Sequence, residues 1–266
     1  MTRQEFVDIG EYRLFMMRAG QGRPPVIFEA GAGDDSTTWK GIFEATAQFT
    51  HVITYDRAGL GQSDPVPRPR TVLQLANDLQ KLVRAAQLEG PYALVGHSLG
   101  ALISRLYAQQ HPQDVVGMVL IDGPHPDQGN RFAKALTTAG YSDHEAVQAI
   151  LKAARGVEPA NHSEGLDFAA SLTQVDPAHT FGELPLVVVT SGKSIAEQDR
   201  GLPQQATLAF DQAWDKMQVD LARLSTRGVH ITAEKSGHYV HWDEPELVVE
   251  AIHRVVRETQ EKSLHE

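Results

Sequence analysis

The pentapeptide Gly96-His97-Ser98-Leu99-Gly100 sits between an apolar run, Tyr92 to Val95, and a helix-like run, Ala101 to Gln110. A chain that turns sharply from a strand into a helix lifts the central side chain out at the bend. It also sets the helix N-terminus, with its free N–H groups and partial positive charge, beside that side chain. The bend is tight enough that the residues two before and two after the serine must be small, a demand met by Gly96 and Gly100. Ser98 is therefore a candidate nucleophile for acyl transfer. A serine hydroxyl is a weak nucleophile at neutral pH and needs an adjacent base, which in turn needs a carboxylate to orient it.

The elements that would position such groups follow from the apolar pattern. Val26 to Ala30, His51 to Tyr55, Tyr92 to Val95, Val115 to Ile121 and Leu186 to Val189 are short apolar runs closed by Gly, Asp or Ser, and Val229 to Thr232 is a weaker one. Runs of this kind read as strands buried on both faces. Thr71 to Gln87 and Pro245 to Thr259 carry apolar residues at helical spacing. Strand and helix in alternation imply a parallel sheet with crossover helices. Glu5 to Ile9 and Arg13 to Arg18 lie close together and predict an antiparallel hairpin at the sheet edge. From Pro124 to Glu183 no strand pattern appears, and Arg131 to Ala139, Asp143 to Ala154 and Ser163 to Thr173 read as short helices. A helical insertion at the carboxyl end of a strand is placed to cover a pocket.

Composition narrows the classes of function. The 266 residues contain no cysteine, which excludes disulfides, a thiolate nucleophile and cysteine-ligated zinc or iron–sulfur sites. A net charge of -10 without any Lys/Arg cluster argues against a nucleic-acid partner. No segment approaches the roughly 18 apolar residues of a membrane span, and Met-Thr-Arg-Gln-Glu-Phe-Val-Asp at the start has no apolar leader core, so the expected location is cytoplasmic. Gly31-Ala32-Gly33 followed by Asp34-Asp35 is not a dinucleotide fingerprint, and no HExxH is present, so neither a cofactor nor a metal is expected. His125 and His179 read as solvated loop histidines.

The chain resembles the α/β-hydrolase superfamily along almost its whole length. Besides the serine turn, Phe28-Glu29-Ala30-Gly31-Ala32-Gly33 with Trp39 resembles the family's oxyanion loop. Tyr55-Asp56-Arg57-Ala58-Gly59-Leu60-Gly61-Gln62-Ser63 resembles its glycine-rich turn, and Ser236-Gly237-His238 with Pro245 resembles its histidine loop. The resemblance implies a mostly parallel eight-stranded sheet flanked by helices. Residues 1–123 and 184–266 would form the core, and residues 124–183 a small helical cap between strands six and seven. It gives His238 as the base, with His241 as a decoy three residues on and His97 as a structural or pocket-lining residue. The family's usual acid position after strand seven holds Thr190-Ser191-Gly192-Lys193-Ser194-Ile195, without a carboxylate until Glu197 and Asp199. A minority of the family places the acid at the end of strand six, where Asp122 stands; a carboxylate after Met118-Val119-Leu120-Ile121 needs a hydrogen-bond donor to be tolerated. Asp122 is favoured, with Glu197, Asp199 and Asp127 as alternatives.

Leu99, following the nucleophile, and Ala32, following Gly31, are the implied N–H donors to an oxyanion. Asp56 and Arg57 read as a structural pair fixing neighbouring turns. The resulting expectation is a serine hydrolase acting on a small or medium carboxylic ester or a lactone. The same triad also serves C–C bond or amide hydrolysis, perhydrolysis and acyl transfer, and some members of the family are slow-turnover ligand receptors.

Overall fold

In the computed structural model, residues 2–155, 164–194 and 202–263 are described. Their strands are β1 (Arg3–Asp8), β2 (Arg13–Ala19), β3 (Val26–Glu29), β4 (Val52–Tyr55), β5 (Tyr92–His97), β6 (Val115–Ile121), β7 (Leu186–Ser191) and β8 (Gly228–Ala233). They form one sheet in the order β1-β2-β4-β3-β5-β6-β7-β8. β1 and β2 pair antiparallel as the edge hairpin, β2 pairs antiparallel with β4, and every later pairing is parallel.

The helices are α1 (Lys40–Thr46), α2 (Val72–Ala85), α3 (Leu99–Gln110), α4 (Gln128–Thr138), α5 (Glu145–Ala154), α6 (Phe168–Thr173), α7 (Gln204–Ala222), α8 (Val240–Asp243) and α9 (Pro245–Ser263). Strand residues alternate between two cores. Ile27, Leu94, Met118, Leu120, Leu186 and Val188 face α2 and α3, whereas Phe28, Val95, Val119, Ile121, Val187 and Val189 face α1 and α9. Both faces are covered, which is why the strands read as continuous apolar runs. Burying each such side chain contributes about 1.5–3 kcal/mol, so the central strands are held firmly and their carboxyl ends become fixed platforms.

Between β6 and β7 the described residues form α4, α5 and α6 and no strand. Of the helix expected from Ser163 to Thr173, Ser163 lies outside the described residues, and α6 begins only at Phe168, where the Asp167 side chain accepts from the Ala170 N–H and caps it. The helix α7 has no counterpart in that reading. Its buried residues Ala206, Phe210, Ala213, Trp214, Met217 and Leu221 do recur at helical spacing, diluted by alanine and polar residues. With α4 and α5 it forms a third apolar cluster in which Phe132 stacks on Phe210 at 4.0 Å.

Candidate active site

The carboxyl ends of neighbouring strands β3, β5, β6, β7 and β8 bring the predicted residues together. At the end of β5, Ser98 adopts φ 50° and ψ −118°, a backbone conformation that costs a non-glycine residue energy. The turn is held by the Ser98 N–H donating to the Ile121 carbonyl at 2.9 Å. A Cβ on Gly96 would be driven into the Gly100 carbonyl, and one on Gly100 into the Glu29 carbonyl, so both glycines are required by close backbone approach.

Asp122, one residue beyond β6, also has positive φ, 45°. Its carboxylate is fully buried, and such a charge is tolerated only with donors around it. Oδ1 accepts from the Ser191 N–H at 3.1 Å, the Ser191 hydroxyl at 3.1 Å and the Trp214 indole N–H at 3.0 Å. Oδ2 lies 2.7 Å from His238 Nδ1. A carboxylate oxygen next to Nδ1, its neighbour already taken up by three donors, places the imidazole proton on Nδ1 and leaves Nε2 as the basic nitrogen. Sequence reasoning missed Trp214 and Ser191. Asp127 instead sits at the start of α4, accepting from the Asn130 side chain at 2.7 Å, and Glu197 and Asp199 lie outside the described residues.

His238 is carried by a loop after β8 that is tied down on both sides. The Gly237 N–H donates to Asp243 at 2.8 Å, and the Ser236 hydroxyl and Lys235 N–H donate to Glu244 at 2.7 and 2.9 Å. His97 Nε2 lies 2.8 Å from the His238 carbonyl, which only an N–H can satisfy, so His97 clamps the backbone of the neighbouring histidine. Burial, then the His238 and His241 rings, hold His97 well below the ordinary histidine range, and it stays neutral at pH 7. His241 packs 4.6 Å from Trp39, meets the Thr38 hydroxyl at 3.1 Å and is pushed down to about 3, mainly by burial. It has the surroundings of a packed core ring. Among the described residues Ser98 Oγ makes no hydrogen bond; such bonds in ligand-free sites commonly form only when substrate is bound.

Leu99 opens α3, and Ala32 lies in the loop after β3. Among the described residues neither N–H donates to a backbone carbonyl, which leaves both free for a ligand oxygen. Arg57 holds this loop from below, its guanidinium donating to the carbonyls of Ala30 at 2.7 Å and Gly31 at 2.6 Å. Asp56 and Arg57 do fix neighbouring turns, each with its own partners. Asp56 accepts from the Ser36 and Gln62 N–H groups, both at 2.8 Å, while Arg57 turns toward the oxyanion loop and Glu164. His125 is not solvated. It is buried, its Nδ1 accepts from the Asp127 N–H at 3.0 Å, and burial above all pushes it down to about 4. Among the described residues no group of three or more His, Asp or Glu is arranged to hold a metal ion, and no helix is long and apolar enough to cross a membrane.

Glu29 lies beneath the same loop. It is fully buried, accepts from the Tyr55 hydroxyl at 2.5 Å, and is raised to about 7 by burial against the pull of Arg57 and Tyr55. An unfolded chain releases this proton near the ordinary glutamate value of about 4.3, whereas the folded protein keeps it until about pH 7. Stability from this group is therefore full below the lower value and is lost as pH rises to the upper one. Glu29→Gln keeps an acceptor for Tyr55 and removes the titration, so its melting temperature relative to wild type should rise between pH 5 and pH 8. Parallel melting curves across that range would disprove the assignment.

The profile of the alpha/beta hydrolase family matches residues 26–251. A Bacillus subtilis (strain 168) protein, YqjL, is 31% identical over 239 residues, covering 90% of this chain and 85% of its own. A thermophilic esterase from Thermogutta terrifontis superposes with a TM-score of 0.62 at 21% identity, over 97% of this chain and 99% of that one. The haloalkane dehalogenase DbeA-M1 from Bradyrhizobium elkanii gives 0.67 at 15% identity, over 100% and 99%. At such identities the superpositions speak for the fold and not for the reaction. On the profile match and the YqjL likeness, the chain belongs to the alpha/beta hydrolase family and is an enzyme of that type.

Proposed function

We propose that the protein is a serine hydrolase that cleaves a small or medium carboxylic ester or lactone through an acyl-enzyme on Ser98. The observation that carries this reading is the 2.7 Å contact between Asp122 Oδ2 and His238 Nδ1 beside a serine held at φ 50°. Ser98 Oγ attacks the carbonyl carbon while His238 Nε2 takes its proton. The carbonyl π electrons move onto oxygen, and the oxyanion accepts from the N–H groups of Leu99 and Ala32. When the tetrahedral species collapses, the C–O bond to the alcohol breaks and His238 returns the proton to the leaving oxygen. Water then attacks the acyl-enzyme with His238 again as base, releasing the carboxylic acid and restoring Ser98.

Residues 124–183 serve in this reading as a cap over the acyl pocket, with α7 packed against its helices. The cap would limit the length of acyl chain admitted. A serine at position 98 separates this chemistry from that of the dehalogenase that shares the fold, because dehalogenation needs a carboxylate nucleophile.

A fluorophosphonate probe should add to the peptide that contains Ser98, and p-nitrophenyl esters of graded acyl length should be turned over with an optimum at short or medium chains. No adduct on Ser98 together with ester hydrolysis at the buffer rate would exclude the hydrolase reading and leave that of a ligand receptor.

A further inference from the structure

Glu164 belongs to the segment between α5 and α6, yet it reaches under the oxyanion loop. Its carboxylate accepts two hydrogen bonds from Arg57, at 2.6 Å from Nε and 2.9 Å from Nη2. The same carboxylate accepts from the Gly33 N–H at 3.1 Å. Two more Arg57 N–H groups donate to the carbonyls of Ala30 and Gly31. Three peptide groups flanking Ala32 are thus fixed by one guanidinium and one carboxylate, both almost wholly buried. The segment is itself moored to the core, since the Arg70 N–H donates to the Gly165 carbonyl at 3.0 Å and the Asp167 N–H to the Arg70 carbonyl at 2.7 Å.

A buried pair of this kind is a poor source of stability, because removing two charges from water costs about what their attraction returns. Its geometric effect is larger: a bidentate guanidinium–carboxylate fork has one good orientation. Burial opposes ionisation of both groups, but their mutual attraction and hydrogen bonds outweigh it, holding Glu164 below and Arg57 above their ordinary values. Both are charged throughout the neutral range.

We infer that Arg57 and Glu164 are positioning residues that aim the Ala32 N–H at the oxyanion, so that docking of the segment carrying Glu164 completes the oxyanion hole. The inference rests on the serine hydrolase reading for its catalytic consequence. In Glu164→Gln, the amide oxygen takes the place of Oε2, which accepts from both Arg57 Nη2 and the Gly33 N–H, and the NH2 then meets the Arg57 Nε–H, donor against donor, which breaks the fork that orients the guanidinium. The loop is then released at one of its anchors.

The expected result for Glu164→Gln is a kcat lowered about 10- to 100-fold, the scale on which misplacement of a catalytic group is felt, with KM nearly unchanged. Affinity for a trifluoromethyl ketone, which forms a tetrahedral oxyanion on the serine, falls by the same factor. The double variant Arg57→Met, Glu164→Met removes both charges together and should melt close to wild type while keeping the low kcat. Hydrogen exchange at Gly33, whose N–H loses its acceptor in the double variant, should quicken about tenfold there, with the amides of β5 and α3 unaffected. If the double variant recovers wild-type kcat, or exchange at Gly33 is unaltered in it, the positioning role is wrong. Should wild type show no ester turnover at all, the function reading fails, and the exchange measurement alone still decides whether the pair holds the loop.

Discussion

Ser98→Ala reduces ester turnover by about five to six orders of magnitude, the size of loss seen when an activated serine is removed from a triad. The substitution deletes one oxygen and leaves the turn intact, since the positive φ at position 98 is imposed by Gly96, Gly100 and the bond to the Ile121 carbonyl. The variant should therefore fold with a melting temperature near that of wild type and bind a product carboxylate with similar affinity. What remains above the water rate is the contribution of the Leu99 and Ala32 N–H groups and of substrate binding, about 10³–10⁴-fold. Steady-state kinetics on p-nitrophenyl esters, paired with calorimetric product binding, measures both parts. Activity within tenfold of wild type would place the nucleophile elsewhere.

Much of this candidate site is legible in the sequence. The serine turn announces itself because its constraint is local: a strand, two close backbone approaches and a helix lie within a few residues of Ser98. Asp122 was legible for a different reason. A carboxylate directly after an apolar strand carries a desolvation cost that demands a partner, and the demand can be stated without knowing which group meets it. The apolar runs predicted the strands, and the closeness of β1 and β2 predicted their hairpin.

The groups that fix the machinery in place were not legible, because they act across the fold. Trp214 reaches Asp122 from 92 positions away, on a helix whose pattern is diluted by alanine. Glu164 reaches Arg57 across 107 positions. Asp56 and Arg57 are legible as residues that fix turns but their partners are not: consecutive residues at the end of a strand point to opposite sides, and the two face different turns. His125 likewise carries no apolar neighbourhood in sequence; the space that buries it is assembled from other segments. Propensity and periodicity reveal which side chains must be inside, while long-range polar pairing is set by the topology.

Asp122→Asn should lower kcat by about 10⁴-fold, a loss of the kind that follows when the orienting carboxylate of a triad becomes an amide. The surroundings of Asp122 determine how the amide sits. The Ser191 N–H, the Ser191 hydroxyl and the Trp214 indole all point at Oδ1, so the carbonyl oxygen of an asparagine must occupy that place. Its NH2 group then falls where Oδ2 stood, 2.7 Å from His238 Nδ1. A donor there forces Nδ1 to accept, moves the ring proton to Nε2 and turns the nitrogen that should take the Ser98 proton into a donor. The loss is one of tautomer, so binding survives and KM should change little. Asp122→Ala leaves the His238 ring without that donor and frees both tautomers. It should therefore be less damaging per substrate bound than the amide, although the cavity and the three orphaned donors make it less stable. A falsifying outcome is an Asp122→Asn enzyme within tenfold of wild type, and loss of activity on changing Glu197 or Asp199 instead would move the acid to the segment after β7. If Asn proves worse than Ala, the three donors on Oδ1 are acting as the device that sets the histidine tautomer, and Trp214 and Ser191 become part of the catalytic design rather than of the core.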